Sequence, residues 1–425
     1  MGQSPGSVLG SVSAFSEAPE TLARYAVDGI TPRAVLFPAS EAEVASALRA
    51  AAAEGAVVVP WGGGTKQDLG NPIEGADFVL SLERLDQVVE YVPADMTITV
   101  QAGMRLAALQ ALTVSHGQTV PLDAPRAAQA TIGGIVATAA SGPRRMAYGG
   151  VRDLVLGVRL ALADGRVIKA GGKVVKNVAG YDMPKLVIGS LGTLGVITEV
   201  SLRLRPRPAD TRTLLFGFAG LGEALPAAEA ILNSELLPAT VTVLSAGATK
   251  RLESPGAVSL AVALEETAEN NVYQVNRLSQ MVHNHAGVET LTADAESIFW
   301  DRVTNYGDRF GSAIRIKVNT VISGLANQLD ATELDGIAYA PSGTVLLYGP
   351  PNGVDGARTA EMIAARLAEA HAAGGSAVLE SAPVALRRQV SVWGPSRPEW
   401  KITHGIRKTF DPACILNRGR YVGGI

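Results

Sequence analysis

The sequence contains only one cysteine, Cys414, among 425 residues. A single thiol excludes a disulfide framework within this sequence, and it also excludes an iron–sulfur cluster whose cysteine ligands all come from this sequence. Because free cysteines are among the most frequently buried residues, we expect Cys414 to be a small buried side chain.

The sequence also lacks an excess of charge of either sign. Its formal net charge is -3 and its isoelectric point is about 6.0. A nucleic-acid-binding surface needs a basic field, and no long block of like charge occurs along the sequence. We therefore expect no nucleic acid partner.

No uncharged apolar run reaches the length of about 20 residues that a membrane-spanning helix needs. The first residues, "MGQSPGSVLGSVSAFSEAPE", lack the basic start and the continuous apolar stretch of a signal peptide. We expect a leader over residues 1–27, no transmembrane segment and a cytoplasmic location.

What the sequence does contain is an alternation of helical and strand patterns. The stretch "SEAEVASALRAAAAEG" predicts a helix that begins with a capping box of Ser40 and Glu43 and ends at Gly55. An Asp-Gly pair at 164–165, between two apolar runs, predicts a β-hairpin.

A Pro-rich and Arg-rich segment from Arg203 to Pro208 predicts a domain boundary. Beyond it, two successive strand-helix-strand-strand-helix patterns predict an antiparallel sheet covered by helices. The last segment, "HGIRKTFDPACILNRGRYVGGI", predicts a helix followed by a turn and a tail. The fold class is therefore predicted to be α+β.

Three stretches are rich in glycine: "PWGGGT", "ATIGGIVATAASGP" and "GSLGTLGV". None has the Gly-Lys-Ser/Thr ending of a P-loop or the G-x-G-x-x-G spacing of a Rossmann turn, which disfavours a simple nucleotide or nicotinamide fold. Each stretch alone is explained as well by a tight turn or a close strand crossing. Together, in one strand-rich half of the sequence, they indicate loops that close on one extended ligand.

These stretches resemble the FAD-binding domain of the vanillyl-alcohol oxidase (PCMH-type) flavoprotein superfamily. The resemblance covers about residues 28–206 and rests on "PWGGGTK", "ATIGG", "SGPRRMAYGGVRDLVLGVRLALADGRVI" and "GYDMPKLVIGSLGTLGVITEV", in this order. Within it, "SGPRRMAYGGVRD" and "GGKVVKNVAGYDMPKL" are similar to the FAD-binding E subunits of bacterial glycolate oxidases (glycolate dehydrogenases). The closing "FDPACILNRGR" resembles the superfamily's "DP...NPG" element, with Arg418 in place of proline.

The resemblance implies a domain organisation. Residues 28–206 are expected to form a PCMH-type FAD-binding domain of two α+β subdomains, and residues 207–400 a smaller α+β cap domain with an antiparallel sheet and helices. Residues 401–425 are expected to return to the FAD domain.

The resemblance also implies that the glycine loops hold FAD through backbone amides. Thr65 and Lys66, rather than a histidine or cysteine, follow the glycines, so we expect FAD to be bound without a covalent link. Ala139 stands where many relatives have asparagine, which is expected to remove one hydrogen bond near the flavin. The residues expected to contact FAD are Pro60, Trp61, Gly62, Gly63, Gly64, Thr65, Thr131, Ile132, Gly133, Gly134, Thr138, Ser141, Gly142, Tyr148, Gly149, Val196 and Ile197.

Oxidation of a small 2-hydroxy acid by a flavin requires a base for the hydroxyl proton and a cation for the carboxylate. The candidates are His404, in the last predicted helix, and Arg315, which shares a strand face with Lys317. An ordinary surface or structural role remains open for each of these side chains. Two roles remain equally open for Arg144 and Arg145: they could screen a cofactor phosphate, or they could dock another protein.

His283 and His285 are similar to the His-x-His element that binds a metal in related catalytic subunits. Both are predicted to lie in a helix, where residues two apart point in different directions. We therefore expect no metal site.

Two functions of different kinds remain open. The first is an FAD-containing subunit of a glycolate dehydrogenase complex that oxidises glycolate to glyoxylate or relays its electrons. The resemblance then implies a catalytic FAD sister subunit (D type), an iron–sulfur subunit (F type) and peripheral attachment to the inner membrane through these partners. The second is a non-catalytic flavin-binding assembly subunit. A stand-alone FAD-dependent dehydrogenase for D-lactate-type 2-hydroxy acids is a further alternative.

Overall fold

The computed structural model describes residues 6–172, 182–330, 334–349 and 356–425. The stretch "GGKVVKNVAGYDMPKL", on which part of the resemblance rests, falls largely on residues 173–181, outside the described residues. None of the described helices is long and apolar enough to cross a membrane.

The strands and helices follow the predicted alternation. The strands are β1 (Phe15–Ser16), β2 (Ala34–Leu36), β3 (Val58–Trp61), β4 (Phe78–Ser81), β5 (Val88–Val92), β6 (Thr97–Gln101), β7 (Gln118–Thr119), β8 (Val155–Ala161), β9 (Val167–Gly171), β10 (Val196–Arg203), β11 (Arg205–Pro206), β12 (Asp210–Phe218), β13 (Thr240–Leu244), β14 (Val258–Glu266), β15 (Gly287–Thr292), β16 (Arg315–Asn319), β17 (Asp335–Tyr339), β18 (Thr344–Tyr348) and β19 (Ser376–Ser381). The helices are α1 (Gly6–Leu9), α2 (Pro19–Arg24), α3 (Glu41–Glu54), α4 (Leu106–Val114), α5 (Ile132–Thr138), α6 (Arg145–Tyr148), α7 (Val151–Leu154), α8 (Met183–Val187), α9 (Leu221–Leu232), α10 (Ala246–Leu252), α11 (Ala268–Met281), α12 (Ala293–Thr304), α13 (Tyr306–Arg309), α14 (Leu325–Asp330), α15 (Gly356–Ala372), α16 (Val384–Arg387) and α17 (Trp400–Phe410).

The chain divides into two compact units. The first unit comprises residues 1–141, 150–207 and 396–425, and the second comprises residues 142–149 and 208–395. The sequence-based boundary at 206 falls next to the observed division. Residues 142–149, which the sequence places in the middle of the FAD-binding domain, belong instead to the second unit.

The first unit contains a mixed sheet and an antiparallel sheet. In the mixed sheet the strand order is β1-β2-β4-β3, with β2 and β3 parallel to β4. The antiparallel sheet has the order β5-β6-β10-β8-β9, and its β8–β9 pair is the hairpin predicted from the Asp-Gly turn, where Gly165 has a φ of +80°. Residues of the predicted leader are part of this unit, because β1 pairs with β2 and Tyr25 and Val27 are buried.

Helix α3 shows why the local sequence pattern was informative. The Ser40 side chain accepts a hydrogen bond from the Glu43 amide at 3.2 Å, and Gly55 ends the helix in the left-handed region, as predicted. The Glu43 carboxylate, however, accepts from the amides of Ala39 and Ser13. The second half of the capping box is therefore replaced by contacts to the preceding chain, which hold the leader against α3.

The second unit is built on one antiparallel sheet, as predicted. Its strand order is β15-β12-β14-β13-β17-β18-β16-β19. Buried residues from these strands pack against α9, α11 and α15 on one side, where Leu278, Ile363 and Leu367 are buried. The exposure of β16 alternates, so Arg315 and Lys317 share the less buried face of that strand, also as predicted.

Two sequence-based expectations are wrong. Helix α11 ends at Met281, so His283 and His285 follow it in an irregular segment in which Asn284 has a φ of 60°. Cys414 is exposed rather than buried, because it lies with a φ of 50° in the turn after α17. In both cases a local backbone turn, which the apolar pattern did not reveal, decided the outcome.

Candidate cofactor site in the first unit

The first unit contains a cavity that is open to solvent, and its empty volume, counted together with the open space at its mouth, is about 850 Å³. It is lined by Leu82 and by residues from four separate stretches of the chain: residues 60–67, residues 124–140, residues 191–197, and Asn417 with Arg420 near the C-terminus. The three glycine-rich stretches of the sequence therefore meet at one site.

The three consecutive glycines after β3 are required by close packing. A Cβ at Gly62 would lie 2.2 Å from Thr131 Oγ1, and one at Gly63 would lie 1.8 Å from the carbonyl oxygen of Gln129. Gly64 has a φ of +69°, and its Cβ would clash with the ring of Trp61. Glycine has no side chain, and this allows the first glycine loop to lie directly on the second at Gly62 and Gly63.

The second loop is held by the start of α5. The Thr131 side chain caps this helix by accepting a hydrogen bond from the Gly134 amide at 3.3 Å. Gly133 approaches Ala102 so closely that an added Cβ would lie 2.7 Å from the Ala102 side chain. The Gly133 amide donates to the Ala102 carbonyl at 2.8 Å, which fixes the loop to the end of β6.

The third glycine-rich stretch and the C-terminal segment close the cavity. Leu191 has a φ of 53°, and its amide donates to the Ala137 carbonyl of α5 at 2.8 Å. Its own carbonyl accepts a hydrogen bond from Asn417 Nδ2 at 2.6 Å. The tail is thereby connected to the stretch that leads into β10.

The cavity fits FAD on the chemistry of its walls. It is formed largely by glycine, alanine and small polar residues, which leave backbone groups accessible to a ligand with an anionic diphosphate. Asn417 Oδ1 and Gln67 Oε1 are buried oxygens without a hydrogen-bond partner, and both residues line the cavity. Since buried acceptors are normally satisfied, these atoms indicate a ligand that carries N–H or O–H groups.

The predicted cofactor residues divide into two groups. The cavity is lined by Pro60, Trp61, Gly62, Gly63, Gly64, Thr65, Thr131, Gly133, Gly134, Thr138, Val196 and Ile197. The remaining predicted residues, Ile132, Ser141, Gly142, Tyr148 and Gly149, do not line it. Ile132 is fully buried in the hydrophobic core. Gly142, Tyr148 and Gly149 belong to the second unit.

Within the second unit, residues 142–149 are held by a cluster of buried charges. Arg144 forms ion pairs with Glu265 and Glu296, whose side chains are 6% and 5% exposed. The Tyr148 hydroxyl donates to Glu265 Oε2 at 2.6 Å. Burial and the adjacent Glu265 carboxylate raise the pKa of Tyr148 well above its ordinary value, so its phenol remains a donor at neutral pH.

The two residues predicted for catalysis do not line the cavity. The Arg315 guanidinium is ion-paired with Glu380 at 3.0 Å, and both side chains are mostly buried. His404 lies on the exposed side of α17, where Gly423 of the tail approaches its ring. No group of three metal-ligating side chains occurs within the described ranges.

Sequence reasoning missed Asn417, Arg420 and Gln67 as cavity residues. The signal that was available is the "DP...NPG" resemblance of "FDPACILNRGR", whose asparagine is Asn417. The resemblance placed this segment near the FAD domain without assigning a role to its side chains.

Comparison with known proteins identifies the domain around the cavity. Residues 32–171 match the family model described as an FAD binding domain. The chain carries an FAD-binding domain. The matched stretch contains β3 with the first glycine loop and all of α5.

Curated relatives match the chain over less than half of their length. The D-2-hydroxyglutarate dehydrogenase of Xanthomonas citri pv. viticola is 38% identical over 184 residues, which is 43% of this chain and 39% of that protein. The glycolate oxidase subunit GlcE of Escherichia coli is 40% identical over 158 residues, which is 37% of this chain and 45% of that protein.

A solved structure extends the similarity of fold to nearly the whole chain. The structure of p-cresol methylhydroxylase with substrate bound has a TM-score of 0.78 and covers 97% of this chain and 95% of that one. Sequence identity is 15%. The mixed α+β architecture, with an FAD-binding unit and a separate antiparallel sheet, is therefore that of the PCMH-type fold.

Proposed function

We propose that this chain uses non-covalently bound FAD to oxidise a small 2-hydroxy acid, as the FAD-binding subunit of a glycolate dehydrogenase (glycolate oxidase) complex. The observation that carries the proposal is the cavity of the first unit, where three glycine-rich stretches and the tail converge within an FAD-binding domain. The similarity to relatives named for glycolate and for D-2-hydroxyglutarate supports a 2-hydroxy acid as the substrate class.

The residues of the chain have distinct parts in this function. The first and second glycine loops present their backbone to the cofactor, and Thr131 keeps the second loop in place by capping α5. Thr65 and Lys66 follow the glycines without a histidine or cysteine, which supports non-covalent binding. Bound FAD supplies an acceptor for the two electrons of the hydroxy acid.

The electrons must then leave this chain. We propose a catalytic FAD sister subunit (D type) and an iron–sulfur subunit (F type) as partners, since a single cysteine cannot supply all the cysteine ligands of an iron–sulfur cluster. In this assembly the chain is cytoplasmic and reaches the inner membrane through its partners.

A second candidate is a flavin relay or assembly subunit in which the sister subunit oxidises the substrate. The observation that favours it is the state of the two predicted catalytic side chains. Arg315 is paired with Glu380, and His404 lies on the exposed face of α17 outside the cavity. A stand-alone dehydrogenase for D-lactate-type acids requires a base and a carboxylate-binding cation. His404 and Arg315 were the candidates for these two roles, so their positions do not favour this alternative.

The deciding experiment is the anaerobic visible spectrum of the purified protein before and after addition of glycolate, with D-lactate as a second sample. Bleaching of the flavin band by glycolate alone supports oxidation by this chain. Bleaching only after the D-type and F-type subunits are added supports the relay. Bleaching by D-lactate but not by glycolate would replace glycolate with D-lactate as the proposed substrate. A protein that shows no flavin band even after reconstitution with FAD would contradict both candidate functions.

A further inference from the structure

The C-terminal segment forms part of the cavity wall by threading through the first unit. Val58 of β3 donates to the Ile415 carbonyl at 2.8 Å, and the Asn417 amide donates back to the Val58 carbonyl at 3.0 Å. The tail thus extends the edge of β3, the strand that leads directly into the first glycine loop. A shift of the tail therefore displaces the loop.

The same segment is also bound to the chain that follows the glycine loop. Asn71 donates through its backbone to the Arg420 carbonyl at 2.9 Å and through its side chain to the carbonyls of Gly419 and Tyr421. Asn71 does not line the cavity. Its bonds hold the tail in place without facing a ligand.

Asn417 differs from Asn71 in having an unused acceptor at the cavity. Its Nδ2 donates to the Leu191 carbonyl at 2.6 Å, which sets the orientation of the amide because only the nitrogen can donate to a carbonyl. Asn417 is 4% exposed, and its Oδ1 is buried without a hydrogen-bond partner. A buried amide oxygen in this state needs a donor from a ligand.

Arg420 brings a positive charge to the same wall. It is 3% exposed and lines the cavity, and its Nη1 donates to the Gln67 carbonyl at 3.0 Å in the chain just after the first glycine loop. Guanidinium groups form charge-assisted hydrogen bonds with phosphate oxygens, and these bonds are strong where water is excluded. The position therefore suits the anionic diphosphate of FAD.

We propose that Asn417 and Arg420 are cofactor-binding residues: Asn417 Oδ1 accepts a hydrogen bond from an N–H or O–H group of FAD, and the Arg420 guanidinium neutralises its diphosphate. The inference rests on FAD binding by the first unit, and it does not depend on which 2-hydroxy acid is the substrate. The tail is then both a support of the glycine loop and a direct ligand of the cofactor.

The test for Asn417 is the dissociation constant of FAD, measured by flavin fluorescence with apoprotein from Asn417→Ala and from the matched control Asn71→Ala. Both variants loosen the tail, and the melting temperature of each apoprotein measures that loss. We expect Asn417→Ala to weaken FAD binding about tenfold more than Asn71→Ala does, which corresponds to about 1.4 kcal/mol. Equal weakening in the two variants would overturn the role of Asn417 as a ligand.

The test for Arg420 compares Arg420→Met with Arg418→Ala, a change of the neighbouring arginine that does not line the cavity. Arg420→Met removes the charge-assisted hydrogen bonds of a buried guanidinium to the diphosphate. We therefore expect the dissociation constant of FAD to rise about tenfold in Arg420→Met, which corresponds to about 1.4 kcal/mol, and to stay near the wild-type value in Arg418→Ala. Riboflavin, which lacks the diphosphate, should bind both variants equally well. Equal dissociation constants of FAD for the two variants would overturn the role of Arg420.

These outcomes are separate from the proposed function. If the wild-type protein binds FAD and both variants behave like their controls, the roles of Asn417 and Arg420 are overturned. The proposed oxidation of a 2-hydroxy acid is unaffected by that result and is tested by the visible spectrum. A wild-type protein that does not bind FAD overturns both.

Discussion

Two regions of this protein, the cavity of the first unit and the Arg144 cluster of the second, differ in how their buried polar groups are satisfied. Around the cavity of the first unit, the walls are glycine, backbone and small side chains, and the acceptor atoms of Asn417 and Gln67 have no partner. In the second unit, the buried charges of Arg144, Glu265 and Glu296 bind one another. The first arrangement is that of a binding site, whereas the second holds chain segments together. The comparison distinguishes buried polar groups that indicate a ligand from buried charges that interact with one another.

The largest effect is expected from Gly63→Val in the first unit. Its Cβ would lie 1.8 Å from the Gln129 carbonyl oxygen, so the two glycine loops must separate. We expect loss of FAD binding together with a decrease of about 3 kcal/mol in the free energy of unfolding. Flavin absorbance of the purified variant and chemical denaturation measure the two effects.

A matched variant separates binding from packing. Ala137 lines the cavity on α5 and is partly exposed, so Ala137→Phe fills space that the ligand needs without forcing the loops apart. This variant should lose FAD while its apoprotein unfolds as the wild-type apoprotein does. Retention of flavin by Ala137→Phe would contradict the position of the cofactor site.

In the second unit, Glu265→Ala should lower the stability of the protein without affecting FAD binding. The substitution removes the Glu265 carboxylate as a partner of Arg144 and as the acceptor of Tyr148. Breaking a buried ion pair destabilises by about 3 kcal/mol, and we expect that loss in thermal unfolding with an unchanged flavin content. Loss of flavin at full stability would show that the cluster serves the cofactor instead.

A smaller effect is expected from Thr131→Ala at the boundary of the two glycine loops. The change removes the side-chain cap of α5, which costs about 1 kcal/mol, and loosens the second loop. Thr131→Ser retains the hydroxyl and should restore both stability and FAD affinity. If alanine and serine variants bind FAD equally well, the cap has no part in shaping the site.

Tyr148→Phe tests the same cluster through its pH dependence. The pKa of Tyr148 is raised in the folded state by burial and then by the charge of Glu265. The stability from its protonated phenol is complete below the unfolded pKa of about 10 and is lost as the pH rises through the folded pKa. We expect Tyr148→Phe to cost about 1 kcal/mol at neutral pH and to reduce the loss of stability at alkaline pH. Denaturation curves at neutral pH and at about pH 10.5 provide the measurement.

The smallest effect is expected from His404→Ala. The side chain is exposed on α17 and does not line the cavity. We expect flavin content and substrate-dependent bleaching to stay within about twofold of the wild type, which is less than 0.5 kcal/mol. A large loss of bleaching with flavin retained would restore His404 as a catalytic candidate.

Much of the fold followed from local sequence signals. The cap at Ser40, the glycine end of α3 and the Asp-Gly hairpin were correctly predicted, since each depends on residues close together in the chain. Signals of this kind failed where the backbone turned unexpectedly. The segment of His283 and His285 left the helix, and Cys414 became exposed in a turn.

The sequence by itself determined most of the secondary structure, the α+β class, and the presence of glycine-rich stretches similar to those of FAD-binding domains. Only the tertiary structure decided what those glycines touch and which residues surround the cavity. Gly62 meets Thr131 from a distant part of the chain, residues 142–149 join the second unit, and Asn417 reaches Leu191. The physical reason is that local propensity acts over a few residues, whereas close packing and the satisfaction of buried polar groups depend on chain segments brought together by the fold.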